Sequence, residues 1–134
     1  MESDFVRNVI YVFSILGILD TSYLIYHKIK GTDVACLFFP KAWCRKVQYS
    51  KQSKTLGIPN SYAGFAMYWT ILALTYLAAQ GTVDFNLAKY VITFGFLFSM
   101  YFTFVQAFVL RAFCTWCGVS AINFSVMLAA AWLA

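Results

Sequence analysis

The chain has 134 residues, of which 62% are hydrophobic and only 11% charged, so it lacks the polar surface a water-soluble domain of this size needs, and the lipid bilayer is its solvent. Its net charge of +5 is concentrated: Lys28, Lys30, Lys41, Arg45, Lys46, Lys51 and Lys54 are seven of its ten basic residues. That cluster suits anionic headgroups, and nucleic-acid binding is excluded because the rest of the chain offers no soluble recognition module.

A span of ~30 Å needs about 20 helical residues. The first apolar run, Phe5 to Tyr26, is long enough and predicts a helix over 5–27. Glu2 and Asp4 precede it and no small-residue cleavage site follows, so a cleaved signal peptide is not expected. Asp20 lies inside this run. A carboxyl is expensive in lipid, which makes Asp20 either a functional group or a structural hydrogen-bonding group in a polar bundle interior. The polar stretch 28–59 follows as a loop, holding Pro40, Pro59, Cys36 and Cys44. A second helix is predicted over 60–80, a turn at Gln80-Gly81-Thr82-Val83-Asp84, and a third helix over 86–109. The fourth covers 112–134.

Only Arg111 brings a charge into the last 45 residues. One helix of that length would measure ~68 Å, over twice the hydrocarbon thickness, so a tight turn is placed near Arg111. Backbone groups in lipid must be satisfied internally, and the runs show no period-2 alternation, so helices are expected and a barrel is not. The predicted fold class is all-α: one integral membrane domain over 1–134, a four-helix bundle with a cysteine-bearing loop between its first two helices and no room for sheet. Small residues that permit close helix contact recur at Gly64, Gly95, Ser99, Gly118 and Ala121. Gln106 and Asn123 read as interhelical hydrogen bonders, and His27 as an interfacial residue.

The chemistry lies in four cysteines. Cys114-Thr115-Trp116-Cys117 is a Cys-x-x-C pair at the head of the fourth helix. Residues i and i+3 share a helix face, and the open N–H groups and positive dipole end of a first turn favour thiolate, the form reactive in exchange. The alternative is two buried cysteines packed as small hydrophobes. Cys36 and Cys44 sit in the loop with Leu37, Phe38, Phe39 and Trp43 around them, apolar neighbours that let the segment rest on the helix ends near Cys114. Arg45 and Lys46 beside Cys44 would favour its thiolate, although a solvated basic face is the plainer reading. Zinc held by four thiolates is a competing reading. The spacing of eight in the loop pair is long for it, and no metal is expected.

The ordered set of motifs resembles the vitamin K epoxide reductase family in its short, single-domain form. The resemblance rests on Cys36 to Ser50, on Leu56-Gly57-Ile58-Pro59-Asn60-Ser61-Tyr62-Ala63-Gly64 leading to Tyr68, and on Phe113-Cys114-Thr115-Trp116-Cys117 with Ala121-Ile122-Asn123. Gly17 and Ser22-Tyr23-Leu24 also fit. It implies a bundle around a quinone, with Cys114 and Cys117 as the active-site pair, Cys117 nearest the ring, and Cys36 and Cys44 as the shuttle pair. Asn60 would hydrogen-bond a quinone carbonyl and Ser50 would organise the loop over the pocket. Asp20 could exchange a proton with that pocket or steady a hydroxyl such as that of Ser22. Ala121 stands where animal members carry a Tyr, which weighs against vitamin K epoxide as the substrate.

The resulting expectation is a quinone-dependent thiol oxidase that takes electrons from a thioredoxin-like protein on a separate chain and generates protein disulfides. A vitamin K or quinone reductase and a non-catalytic tetraspan protein with structural cysteines are the alternatives. Two rules give opposite orientations. The family habit puts the cysteines outside the cytoplasm, where disulfides persist. The basic loop and Arg111, set against Arg7 and Lys89, put them inside, and the charge bias tips the reading toward the cytoplasmic side.

Overall fold

A computed structural model describes residues 2–31, 40–48, 54–55, 58–112 and 114–133. Four long helices form its body: α1 (Glu2–Lys30), α3 (Asn60–Ala79), α4 (Asn86–Phe104) and α5 (Thr115–Leu133). A short helix α2 (Lys41–Gln48) lies between α1 and α3. The stretches Asp4–Lys30, Asn60–Ala79, Asn86–Leu110 and Thr115–Trp132 are each long and apolar enough to cross a membrane. Several hydroxyls within them are satisfied along their own helix. The hydroxyls of Thr21, Thr70, Thr93, Thr103 and Ser125 each donate to the carbonyl four residues back, at 2.8 Å. Each hydroxyl proton thereby finds an acceptor without leaving the helix, and a hydroxyl becomes tolerable in an apolar run.

Neighbouring helices run antiparallel, and α1 and α4 each pack against both α3 and α5. The close approaches occur at glycines. A Cβ on Gly17 of α1 would collide with the Tyr68 ring of α3, and a Cβ on Gly95 of α4 would collide with Phe124 of α5. Tyr68 and Phe124 themselves stack, with centroids 4.7 Å apart and planes inclined by 15°. One ring pair flanked by two glycines therefore holds all four helices together. Around it lie Ile10, Ile71, Ile92 and Met127, fully buried. Outward-facing side chains such as Phe5, Leu19, Trp69, Phe94 and Leu97 are large, apolar and exposed, as a lipid-facing surface requires.

The connections have local causes. After α3, Gly81 takes φ 79°; its N–H bonds the carbonyl of Ala78, and that of Thr82 bonds the carbonyl of Leu77. This is the left-handed glycine cap of a helix end. The break near Arg111 is less simple. The last turn of α4 widens into a π-helical segment, Val105–Leu110, and Arg111 follows in the left-handed conformation, φ 53° and ψ 41°. The Ala112 N–H then closes back on the carbonyl of Gln106 at 3.0 Å.

The polar loop carries a short ladder that adds no sheet layer to the all-α bundle: Lys54–Thr55 pairs antiparallel with Ile58–Pro59 over two residues, β1 with β2. It also contains α2, whose Trp43 and Val47 are one turn apart while Lys41, Arg45 and Lys46 supply charge. That i, i+4 apolar pair is an amphipathic signal too short to stand out inside a charged stretch.

Candidate active site

The C-terminal ends of α1 and α4 and the N-terminal ends of α3 and α5 meet at one end of the bundle, and α2 packs there. Cys114 is 1% exposed and immediately precedes α5. Its carbonyl accepts the first helical bond, from the Gly118 N–H at 3.0 Å, so Cys114 is the cap of the helix rather than part of its first turn. Its own N–H donates to the side-chain Oε1 of Gln106 at 2.9 Å. Gln106 thus holds the α4–α5 turn twice, through its main-chain carbonyl to Ala112 and through its amide to Cys114. Cys117 lies in the first turn of α5 and is half-buried.

Cys117 opens on a cleft enclosed by all four long helices. Asp20, Thr21 and Leu24 of α1, Asn60, Ser61, Gly64 and Met67 of α3, Phe98, Ser99, Phe102 and Gln106 of α4, and Trp116, Cys117, Ser120 and Phe124 of α5 line it. Its non-protein space is about 530 Å³ with the open side included. Trp116 leans on Tyr23 of α1 at 4.7 Å between centroids, and Tyr23 meets His27 edge-on at 4.5 Å. At the far end, the Tyr68 hydroxyl and Ser120 Oγ are 2.7 Å apart. Three buried polar side chains stand out among the described residues, the Thr75 hydroxyl, which has no hydrogen-bond partner, being one of them. Both carboxyl oxygens of Asp20, and the amide nitrogen of Asn123, have no hydrogen-bond partner.

Behind the cleft, Cys114 belongs to an apolar cluster with Leu24, Phe102, Val105, Leu110 and Ala112. Val47 of α2 is fully buried in the same cluster, and Trp43 packs against it. The helix that carries Cys44 is therefore docked on the residues that surround Cys114. The side chain of Cys44 lies outside the described residues, as do Cys36 and Ser50 altogether. Asn60, the first residue of α3, shares the cleft wall with Cys117.

Sequence reading gave Gln106 only a generic interhelical role and gave Ser120 none. The signal for Gln106 was an amide in an otherwise apolar run, eight residues before a cysteine. For Ser120 it was the i+3 spacing from Cys117, which sets both on one face of α5.

The family model described as the vitamin K epoxide reductase family matches residues 8–132. Over 71 residues the chain is 34% identical to the thiol-disulfide oxidoreductase LTO1 of Arabidopsis thaliana. That overlap covers 53% of this chain and 19% of the relative, so most of the plant protein has no counterpart in the match.

Proposed function

The chain belongs to the vitamin K epoxide reductase family, and from that premise we propose that it is a multi-pass membrane thiol oxidoreductase. It passes electrons from a thioredoxin-like protein dithiol, through two cysteine pairs, to a membrane quinone. The observation that carries this reading is the shared wall: Cys117 and Asn60 open on one cleft while Cys114 is buried behind it.

The cleft suits a quinone by its chemistry. A flat ring with two carbonyl oxygens needs apolar walls and a few hydrogen-bond donors. Met67, Phe98, Phe102 and Phe124 supply the walls, and the Asn60 amide and the hydroxyls of Ser61 and Ser99 are the donors. When bound, a quinone supplies a sink for two electrons and two protons.

The chain's own part is thiol exchange. A partner thiolate attacks Cys36 of the Cys36–Cys44 disulfide; a mixed disulfide forms and Cys44 leaves as thiolate. Cys44 attacks Cys114, and Cys117 leaves as thiolate. The partner's second thiol resolves the mixed disulfide and departs oxidised. Cys36, now free, attacks Cys44 and displaces Cys114. Cys114 and Cys117 then hold the two electrons, and their bond re-forms as those electrons leave through Cys117. Gln106 fixes the backbone at Cys114, and α2 brings the backbone of Cys44 to the same cluster. Cysteine-bearing end and basic loop coincide, and we assign that end to the cytoplasmic side on the charge rule. Such a site works where the cytosol tolerates disulfides.

Cys117→Ala is the test. Reduced protein in lipid nanodiscs is expected to lose quinone reduction altogether, measured by quinone absorbance. A Cys117→Ala variant that reduces quinone at the full rate overturns the reading.

A further inference from the structure

We propose that Asp20 is the proton carrier of the cleft: it takes up, at its carboxylate, one of the two protons that the Cys114 and Cys117 thiols lose on closing to a disulfide, and returns it to the reduced quinone. The inference rests on the function proposed above and adds a role for a residue outside the cysteine relay.

Three observations carry it. Asp20 is 5% exposed and lines the same cleft as Cys117 and Asn60. Both its carboxyl oxygens are unpartnered among the described residues. Three other polar side chains of the cleft have bonds of their own: Thr21 to the Gly17 carbonyl, Ser120 with the Tyr68 hydroxyl, and the Gln106 side-chain oxygen from the Cys114 N–H. A structural aspartate in a membrane bundle would be expected to bond one of them, since an unpaired carboxylate in apolar surroundings is severely penalised.

The charges around it point the same way. From α5 and the turn before it, Cys117 lines the cleft and Cys114 is within electrostatic reach of the carboxyl. From α3 the titratable neighbour is Tyr68. The lining residues of α4 are Phe98, Ser99, Phe102 and Gln106, all uncharged. No Lys, Arg or His lines the cleft among the described residues. None of the described residues lining the cleft offers the carboxylate a neutralising cation, and a proton fills that place. The balance is simple. Two thiols become one disulfide and release two electrons and two protons; quinone takes both electrons and both protons; Asp20 ends as it began.

Redox difference infrared spectroscopy tests this on quinone-free full-length protein in nanodiscs. The dithiothreitol-reduced and oxidised forms are compared with and without isotope-labelled aspartate. The expected result is an aspartate carboxyl band that differs between the two redox states, moves with the label and vanishes in Asp20→Asn. A spectrum with no aspartate signal, or one that Asp20→Asn retains, overturns the proposal. Should Asp20→Asn fail to fold, the labelled native protein and Asp20→Glu carry the same measurement, with Asp20→Glu expected to shift the signal from the aspartate band to a glutamate band. In single turnover, Asp20→Asn is expected to slow quinol formation about 100-fold while alkylation of Cys114 and Cys117 persists. A rate within about twofold of the native protein at every pH contradicts the role. If Cys117→Ala abolishes turnover but Asp20 is silent, this inference alone fails; if Cys117→Ala is active, the underlying function fails.

Discussion

The side chains of Gln106 and Tyr68 each make a hydrogen bond that one substitution removes. Gln106→Leu strands the buried N–H of Cys114, which costs about 1–3 kcal/mol. The expected result is a lower Tm together with faster alkylation of Cys114, because the turn that buries it loosens. Tyr68→Phe keeps the ring stack on Phe124 and loses only the bond to Ser120, so a loss of about 1 kcal/mol is expected in thermal unfolding. Gly17→Ala meets that same ring and should lose about 1–3 kcal/mol by overpacking. In the sequence Gly17 and Tyr68 were visible through the family resemblance and Gln106 as an amide in an apolar run, but their partners were not. Which ring meets which glycine depends on the rotation of four helices about their axes. Runs that are apolar on every face do not encode that rotation as a stripe.

Among the elements, the four spans were legible because length against bilayer thickness is a physical constraint that composition alone exposes. The α4–α5 connection was legible only as a necessity: a break had to fall near Arg111, but nothing local named its form. A π-helical turn closed by a left-handed arginine depends on Gln106 reaching two N–H groups at once. Arg111→Gly removes the penalty of a side chain in that conformation and should stabilise the protein by about 1 kcal/mol, whereas Arg111→Val should destabilise it. The short helix α2 was hidden by its charges. Val47→Asp should undock it from the cluster around Cys114. Electron delivery from a protein dithiol would then fall by about tenfold or more through lost positioning, while dithiothreitol still reduces the Cys114–Cys117 pair directly.

At the scale of the molecule, charge divides the two ends. Lys28, Lys30, Lys41, Arg45, Lys46, Lys51, Lys54 and Arg111 lie at the cysteine-bearing end or in its loop, while Arg7 and Lys89 lie at the other. Arg7 is moreover paired with Asp4 at 2.9 Å. A membrane-impermeant thiol reagent applied to intact cells is expected to spare reduced Cys36, and rapid labelling would reverse the assigned orientation. The proposed activity requires that the inner pair alone can empty its electrons into quinone. Protein with Cys36→Ser and Cys44→Ser, reduced and freed of reductant, is mixed with quinone in a single turnover while quinol and thiols are counted together. One quinol formed for every two thiols lost, both from Cys114 and Cys117, is the predicted result. Quinol that forms with both thiols intact, or thiols that never react, would contradict it.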